Sequence, residues 1–334
     1  MESKILMHVP DAPAVEGLIF RPYRSEADLP AMLDVLNAGN REDNIEEVET
    51  LEGLSYEYSH LTNCDPAADI LMAEVNGRMI GYGRVWWSKN DDGERLYWLF
   101  GSVHPDWRRR GIGRAMLHWQ ERRAHEIAAA HPDDGPRYFQ TWAMDTVAGK
   151  RSLLESEDYA PVRYGYMMAR SLEESIPDQP LPDGLDVRPA QRDQFRTIFD
   201  ALNEAFRDHW GHRESTEEDF QRWSNWPMMM PHLWQVAWDG EQVAGMVLNA
   251  IFEDDNKTYN RRRGWTDPIC VRRPYRRRGL ARALIMRSLN VLKEQGMTEA
   301  ALGVDTQNPN GALHLYESCG YKVQLSSTTM RKAL

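Results

Sequence analysis

The chain contains 334 residues, of which 42% are hydrophobic and 27% charged, so its composition is globular and excludes a wholly disordered protein. Its net charge of −11 argues against a non-specific nucleic-acid binder, which needs a basic surface to neutralise phosphates. No run of residues approaches the ~18 consecutive apolar residues of a membrane helix. The three cysteines are scattered and form neither a disulfide framework nor a CxxC metal motif. We therefore expect a reduced, cytoplasmic protein without a metal.

The first half begins with an acidic segment and leads to a strongly basic one. Residues 1–17 lack the basic start and long apolar run of a secretory signal, so we expect no signal peptide here. A strand is predicted at residues 96–100, and the segment 103–114 that follows carries four arginines and two glycines. Local positive charge on an acidic chain favours a small anionic ligand over a long polyanion.

A linker separates the two halves. Residues 171–184 contain three prolines, four acidic residues and a glycine, a composition typical of a connecting segment. We therefore place an N-terminal domain at residues 1–174, a linker at 175–184 and a C-terminal domain at 185–334.

The second half is predicted to alternate helices and strands. Apolar residues at helical spacing between Phe195 and Phe206 indicate an amphipathic helix, and Asp239-Gly240 is a favoured tight-turn pair between two strands. Gly296 stands where a long helix should stop. This order predicts the α+β class with a mixed α/β sheet. The predicted elements are a strand at 185–188, helices at 192–206 and 217–226, a hairpin of 234–238 and 243–252, a strand at 265–271, a helix at 279–295, a strand at 300–305, a helix at 311–318 and a strand at 321–330.

Three segments of the first half recur in the second in the same order. Their offsets along the chain are 167, 168 and 162 residues, which drift only slowly. Chance similarity would not keep that order, so the sequence predicts a duplicated domain. The matching pairs are 20–22 with 187–189, 103–114 with 271–282, and 154–159 with 316–321.

The basic turn of each half has the chemistry of a pyrophosphate-binding site. In the second half a strand leads through Arg276, Arg277 and Arg278 to Gly279 and a long helix. The glycine allows a sharp turn, the free N–H groups at the helix start attract an anion, and arginines can contact phosphate oxygens. The turn lacks the Gly-Lys-Ser/Thr of a Walker loop, and in the first half Met116 stands where a dinucleotide fingerprint needs its third glycine.

Two motifs in the second half carry a resemblance to a known family. They are Arg276-x-x-Gly279-x-Ala281, and Asn308 followed by Ala312-x-x-Leu315-Tyr316-x-x-x-Gly320-Tyr321. Together they resemble the GNAT superfamily of acyl-CoA N-acyltransferases, and the first half repeats the first motif as Arg108-x-x-Gly111-x-Gly113. The resemblance covers both halves and implies two tandem GNAT domains.

The resemblance implies acetyl-CoA as cosubstrate and assigns its contacts. Backbone amides of residues 277–282 would hold the CoA pyrophosphate, and the strand 269–271 would pair with the pantetheine arm and polarise the thioester carbonyl. Asn308 would contact the pantetheine or the acceptor, although Pro309 stands at the family's usual asparagine position, so Asn308 is one residue early. The implied cofactor-binding residues are Ile269, Cys270, Val271, Arg276, Arg277, Arg278, Gly279, Leu280, Ala281, Arg282, Asn308 and Tyr316.

The resemblance also places a general acid, while the general base stays open. Tyr316 would protonate the departing thiolate, since a phenol with a pKa of ~10 suits that leaving group. Attack by an amine needs a base, for which Asp267 is the first candidate and Asp305 the second. Asp267 precedes Pro268 and could equally cap a local turn.

A polar and aromatic segment after the first helix of the second half is the candidate acceptor-binding region. His209, Trp210 and His212 lie there, where related acyltransferases shape their acceptor pocket. The two histidines have no third or fourth metal ligand near them in the sequence, so a pocket wall is favoured over a metal site.

The first half departs from the family pattern. Leu154 stands in place of Tyr316, Thr146 stands in place of Asn308, and the strand 96–100 carries no acid. We therefore expect a degenerate first half and a catalytic second half, although the basic turn of the first half is a second candidate CoA site. Its candidate residues are Val103, Arg108, Arg109, Arg110, Gly111, Ile112, Gly113 and Arg114.

The sequence thus predicts an N-acetyltransferase that moves an acetyl group from acetyl-CoA to a primary amine of a small molecule by direct attack. Two alternatives stay open: an acetyltransferase acting on protein Nα or lysine amines, and a non-catalytic acyl-CoA-binding regulatory module. Charge and hydropathy predict no nucleic-acid or membrane partner. The acceptor, the acyl length and the choice between monomer and homodimer are open at this point.

Overall fold

The chain folds into two compact units of mixed helix and strand. The structure, a computed structural model, describes residues 6–334. One unit comprises the residues up to 162 together with 328–334, and the other comprises residues 163–327. Within the described residues, no helix is long and apolar enough to cross a membrane. The predicted mixed sheet with flanking helices is confirmed in both units.

The first unit builds an antiparallel sheet that ends in a parallel pair. Its strands follow the order β1-β2-β3-β4-β5, and residues 328–333 of the last strand of the chain follow β5. Only β4 and β5 are parallel within β1–β5. The elements are β1 (Leu18–Pro22), α1 (Leu29–Glu42), α2 (Leu51–Ser59), α3 (Pro66–Asp69), β2 (Ile70–Val75), β3 (Arg78–Lys89), β4 (Arg95–Val103), α4 (Ile112–Ala129), β5 (Arg137–Met144) and α5 (Ala148–Ser156).

The second unit repeats this plan. Its strands follow the order β6-β11-β10-β9-β8-β7, and β10 and β11 form its parallel pair. The elements are β6 (Ala160–Ser171), β7 (Asp186–Arg188), α6 (Phe195–Phe206), α7 (Glu217–Ser224), β8 (Gln235–Asp239), β9 (Gln242–Ala250), α8 (Glu253–Thr258), β10 (Arg263–Val271), α9 (Leu280–Glu294), β11 (Glu299–Asp305), α10 (Ala312–Ser318) and β12 (Lys322–Ala333).

Every element predicted for the second half is present within a few residues. The helix predicted from residue 192 starts as a 3-10 turn and becomes α-helical at Phe195. Helix α8 was not predicted, because its six residues, Glu-Asp-Asp-Asn-Lys-Thr, contain no apolar spacing. Long, strongly periodic elements are those that hydrophobic spacing identifies best.

The closing strand of each unit comes from the other half of the sequence. Residues 163–171 of β6 belong to the second unit, where they pair antiparallel with β11 from Gly165↔Asp305 to Ser171↔Glu299. Residues 328–334 belong to the first unit, where Met330 is fully buried in its core. The division at residues 174 and 185 stays a prediction about the duplicated sequence; the compact units have different bounds.

Each parallel pair is flanked by the long helix that follows its basic turn. Helix α9 packs on β9 and β10, and α4 packs on β3 and β4. The buried face of α9 includes Leu280 and Leu284, which form one apolar cluster with Ala237 and Val247 of the sheet. Burial of this face fixes the start of α9, and so the basic turn, against the end of β10.

Candidate active site

A cavity of about 590 Å³ opens where β10 and β11 diverge. Backbone pairing between these parallel strands covers only residues 263–265 and 299–301. Past Trp265 the β10 edge has no strand partner among the described residues, so its backbone groups there are available to a ligand. The cavity walls come from α6, β10, the basic turn, α9, β11 and α10, all in the second unit.

The basic turn has a backbone suited to anion binding. Arg277 and Gly279 both adopt the left-handed conformation, with φ of 61° and 84°, and α9 begins at Leu280. A positive φ is uncommon for a residue other than glycine. The turn therefore presents N–H groups at the start of a fifteen-residue helix to the cavity.

The Arg276 guanidinium is held by protein groups. It donates to the backbone oxygen of Val271 at 3.0 Å, to Asp208 Oδ2 at 2.7 Å and to the backbone oxygen of Ala205 at 3.1 Å. Arg273 also bonds Asp208, and these two arginines hold the pKa of Asp208 well below its usual range. These contacts favour a positioning role for Arg276 in fixing the turn, rather than direct contact with phosphate.

Positive charge remains at the turn for an anionic ligand. Arg277 is exposed. Arg278 and Arg282 donate to neutral oxygens, those of the Asp183 main chain at 3.4 Å and of the Ser318 main chain at 3.2 Å. Since no carboxylate neutralises these contacts, the surface beside the helix start stays positive.

Asp267 lies in a bulge of β10 at the mouth of the diverging strands. The pairing of β10 with β9 shifts register between Thr266 and Ile269, and the Asp267-Pro268 peptide is cis. Bulges next to active sites redirect side chains. The Gly303 N–H donates to Asp267 Oδ2 at 3.3 Å, so the bulge holds the carboxylate beside β11.

The environment of Asp267 makes its carboxylate a better base than an ordinary aspartate. Solvent reaches the side chain from the cavity, yet the walls displace much of the water around it. This desolvation raises the pKa of Asp267 to about 6, and the Gly303 hydrogen bond offsets part of the rise. At neutral pH the group is ionised and close to the proton affinity that general-base catalysis favours.

Tyr316 of α10 lies in the same cavity as Asp267. Its side chain is only 7% exposed, and its ring meets that of Tyr321 edge-on with centroids 6.3 Å apart. Burial raises the pKa of Tyr316, and the Asp267 charge raises it further. The phenol therefore keeps its proton at neutral pH, as a general acid must.

The candidate acceptor region contributes one cavity residue. His209 lines the cavity, and its Nε2 lies 3.3 Å from Asn308 Nδ2. Burial lowers the pKa of His209, so the ring is neutral at pH 7. Trp210 instead lies under the Arg163 guanidinium, 5.3 Å from it.

The second base candidate, Asp305, is ion-paired. Arg163 Nη2 donates to Asp305 Oδ2 at 2.6 Å, and Arg163 Nε donates to the same oxygen at 3.0 Å. Both contacts engage the same Asp305 oxygen with an arginine, whereas Asp267 accepts a backbone N–H from Gly303. The geometry therefore favours Asp267 over Asp305 as the base.

Most of the residues predicted for the site meet in this one cavity, and three do not. Arg278, Trp210 and His212 lie outside the lining. Sequence reasoning missed Ala205, Phe206 and Gly303; a glycine inside a strand is the one signal that could have indicated a close approach. The predicted residues that line the cavity are Asp267, Ile269, Cys270, Val271, Arg276, Arg277, Gly279, Leu280, Ala281, Arg282, Asn308, Tyr316 and His209.

The first unit repeats the geometry of the basic turn. Arg109 and Gly111 have φ of 63° and 82°, within a few degrees of their counterparts. Arg108 donates to the backbone oxygen of Val103 at 3.1 Å and to Asp43 Oδ1 at 2.6 Å, as Arg276 does to Val271 and Asp208. The duplication therefore kept the backbone of the turn and its arginine–aspartate pair.

An N-terminal segment lies beside Gly111 of this first turn, while Arg109, Arg110 and Gly111 themselves are exposed. A Cβ added to Gly111 would lie 3.3 Å from the Cβ of Pro13, whereas one added to Gly279 would meet open space. The segment is fixed by Val9, which is buried in the core, and by Asp11, whose Oδ2 lies 3.1 Å from His118 Nδ1. We call residues 6–17 the N-terminal cover.

Bulky side chains stand in the first unit where the second unit has its cavity. The rings of Phe100 and Trp142 lie 5.9 Å apart on β4 and β5. Lys150, at the position of the cavity residue Ala312, places Nζ 5.3 Å from the Trp142 ring centre, and burial lowers its pKa to about 8. With Leu154 in place of the tyrosine, the first unit lacks the acid–base pair.

Comparison with known sequences identifies both units. The profile of the Acetyltransferase (GNAT) family matches residues 195–321, and a GNAT domain profile matches residues 66–142. The chain belongs to the GNAT family and is an acyl-CoA-dependent N-acetyltransferase with two GNAT domains. The family and the enzyme class predicted from the sequence are thus confirmed.

Several named relatives match this chain over most of its length. A mycothiol acetyltransferase of Thermomonospora curvata is 30% identical over 221 residues, which cover 66% of this chain and 68% of the relative. Another, of Geodermatophilus obscurus, is 25% identical over 92% of this chain and 95% of the relative. A GCN5-related N-acetyltransferase from Sphaerobacter thermophilus has the same fold, with a TM-score of 0.70, 25% identity and 96% of both chains covered.

A further structure supports the tandem fold alone. A tandem GNAT protein from the clavulanic acid biosynthesis pathway superposes with a TM-score of 0.67 at 14% identity, over 95% of this chain and 98% of the other. Two GNAT domains in one chain are therefore a recurring architecture.

Proposed function

We propose that the second unit transfers an acetyl group from acetyl-CoA to a primary amine of a small molecule. The observation that carries this proposal is that Asp267 and Tyr316 line one cavity, which is bordered by an uncovered basic turn. A base with a raised pKa and a protonated phenol are the two groups that direct aminolysis of a thioester requires.

The residues of the second unit fit acetyl-CoA. The N–H groups at the start of α9, with Arg277, would bind the pyrophosphate, and the unpaired edge at 269–271 would bind the pantetheine arm. Bound acetyl-CoA supplies the acetyl group as a thioester. A backbone N–H of this strand edge would polarise the carbonyl.

Two proton transfers fall to the chain itself. An ammonium cannot attack, so Asp267 would accept a proton from the acceptor amine. Tyr316 would give its proton to the sulfur of the departing CoA thiolate. The negative charge of Asp267 raises the pKa of the phenol, and this effect ends once Asp267 has taken the proton of the amine, so proton uptake by the base would make the phenol a better acid.

The relatives support a small-molecule acceptor. Those named above are mycothiol acetyltransferases, and mycothiol is a small molecule. In this chain the neutral His209 and its neighbour Asn308 form the polar wall that such an acceptor would contact. The first unit has Leu154 in place of the tyrosine and Leu99 in place of Asp267, so it would have a structural role.

The experiment is a calorimetric titration with acetyl-CoA on three proteins: the wild type, Arg277→Glu and the matched variant Arg109→Glu. Both arginines are exposed at the same position of the two turns, so either substitution reverses the same positive charge. We expect one site per chain, lost in Arg277→Glu and kept in Arg109→Glu. Equal loss in both variants, or two sites in the wild type, would contradict the assignment to the second unit.

Turnover on an amine panel, followed by release of the CoA thiol, tests the chemistry. Tyr316→Phe should bind acetyl-CoA normally and turn over about 10²-fold more slowly. Wild-type turnover in this variant would remove Tyr316 from the mechanism, and no turnover by the wild type on small amines would overturn the acceptor class.

A further inference from the structure

Two buried hydroxyl groups meet where β10 and β11 begin to diverge. Thr266 is 0% and Tyr321 2% exposed, and Thr266 Oγ1 lies 2.7 Å from the Tyr321 hydroxyl oxygen. Neither residue lines the cavity, and neither takes part in the chemistry described above. Buried hydroxyls that bond each other fix the elements that carry them.

The proton positions of this pair follow from the groups around it. Thr266 Oγ1 lies 3.2 Å from the backbone oxygen of Ala301, which can only accept. The single hydroxyl proton of Thr266 is therefore used there, and the Tyr321 hydroxyl donates to Thr266. Backbone pairing of the two strands ends at Trp265↔Ala301, and at the next residue the Thr266 hydroxyl provides a side-chain hydrogen bond between the strands.

Tyr321 also reaches both members of the proposed acid–base pair. Its ring packs edge-on against Tyr316, with an interplanar angle of 61°. Its hydroxyl is bonded to Thr266, the last residue of β10 that pairs with β9 before the bulge and the residue next to Asp267. One side chain thus sets the position of the acid by ring packing and that of the base by a hydrogen bond.

We propose that Tyr321 is a positioning residue: through Thr266 it holds Asp267 against the Gly303 N–H, and through its ring it fixes Tyr316 in the same cavity. The proposal rests on the function proposed above for Asp267 and Tyr316. Loss of the Tyr321 hydroxyl frees the start of the bulge, and the contact of Asp267 with Gly303, already 3.3 Å, weakens. The carboxylate then loses a hydrogen bond that favours its charged form.

The first unit lacks this link and supplies the control. Trp98 occupies the position of Thr266, and Tyr159, at the position of Tyr321, donates its hydroxyl to Glu121 at 2.8 Å instead. Tyr159 is as buried as Tyr321, so removal of either hydroxyl perturbs a comparable core site. Tyr159→Phe is therefore the matched variant for Tyr321→Phe.

The test is the pH dependence of kcat and kcat/KM for Tyr321→Phe. We expect kcat to fall about tenfold from misplacement of the reacting groups, with KM for acetyl-CoA unchanged. The acidic limb should move to higher pH, because a carboxylate that loses a hydrogen bond binds its proton more tightly. Tyr159→Phe should keep the wild-type kcat and pH profile.

Substitutions of Thr266 make the test independent of one variant. Thr266→Ser keeps the hydroxyl and should keep the wild-type profile, whereas Thr266→Val should shift it as Tyr321→Phe does. The double variant Thr266→Val/Tyr321→Phe should be no slower than Thr266→Val, because the two hydroxyls act as one unit. It should also be more stable than Thr266→Val, which leaves the Tyr321 hydroxyl buried without a partner.

Asp267→Asn separates failure of the inference from failure of the proposed function. If Asp267→Asn loses the acidic limb while Tyr321→Phe keeps the wild-type kcat and profile, the positioning role is wrong and the base assignment stands. If Asp267→Asn keeps wild-type turnover, both are wrong. Equal effects of Tyr321→Phe and Tyr159→Phe would also overturn the positioning role.

Discussion

At the scale of single residues, the two carboxylates proposed as the base have different surroundings. Asp267 and Asp305 both line the cavity, on neighbouring strands. Arg163 pairs with Asp305, whereas Asp267 receives only a backbone hydrogen bond in a poorly hydrated place. We therefore favour Asp267, whose pKa is raised by desolvation, as the candidate base.

Desolvation raises the pKa of Asp267 to about 6. We therefore expect kcat/KM to fall below about pH 6, because protonation of Asp267 removes the base. Activity is full above that pKa and is lost as the pH falls through it. Asp267→Asn should lose about 10²-fold in kcat/KM at pH 7.5 and show no such limb.

The control for this prediction is Asp305→Asn, measured over the same pH range. Asp305 is ion-paired with Arg163, and the limb is assigned to Asp267, whose pKa is raised to about 6. The Asp305→Asn variant should therefore keep the limb near pH 6. A profile in which Asp305→Asn loses the limb and Asp267→Asn keeps it would reverse the assignment.

The identity of the base could be predicted from the sequence only in part. The motif around Gly279 and Tyr316 was sufficient to place the turn, the acid and the strand edge in order along the chain. The desolvation of Asp267 depends on walls supplied by α10 and β11, which are distant in sequence. Pro268 within a strand was the available signal of a bulge.

At the scale of elements, the two basic turns show what duplication preserved. Each turn is tied to the preceding strand by an arginine that bonds a main-chain oxygen, Val103 or Val271, and an aspartate, Asp43 or Asp208. The repeat predicted both turns, because it is visible in local sequence. The aspartates escaped prediction because they lie 65 and 68 residues before their arginines.

Asp208→Asn should weaken acetyl-CoA binding without removing any proposed ligand contact. The substitution removes the negative charge that pairs with Arg276 and Arg273, so the turn loses a charge-assisted contact. We therefore expect the KM for acetyl-CoA to rise about tenfold.

Asp43→Asn makes the same change in the first unit and should leave KM within about twofold, as expected for a distant independent site. Steady-state kinetics with varied acetyl-CoA provide the comparison. A rise of KM in both variants would contradict a single working turn.

At the scale of the whole molecule, the sequence did not predict the N-terminal cover or the exchange of strands between the two halves. Both features join segments far apart in the chain, and periodicity or motif spacing carries no signal for such contacts. The cover meets Gly111 through Pro13, about a hundred residues earlier. Departures from the family motif thus predicted a degenerate first half. They did not predict that an N-terminal segment lies beside its basic turn.

Met330→Ala should destabilise the first unit and leave the second unit's ligand binding intact. Met330 is fully buried in the first unit's core, so truncation should cost about 2–5 kcal/mol of its free energy of unfolding. Differential scanning calorimetry would record the loss, and titration should give an unchanged acetyl-CoA affinity.

Val323→Ala is the control for this change, because Val323 lies in the same strand and is 46% exposed. It should alter stability by no more than about 0.5 kcal/mol. A matching loss of acetyl-CoA affinity in Met330→Ala would show that the second unit depends on this core position.

The exchange of closing strands also determines the order in which the two units can be completed during translation. Residues 328–333, which lie beside β5, leave the ribosome only after all of residues 163–327 have been made. Until then the edge of β5 is unprotected, and such an edge can pair with another chain. Most of the first unit is thus translated first, but its sheet is completed only by the last residues of the chain. During synthesis of the second unit, the open edge of this sheet is therefore exposed to aggregation.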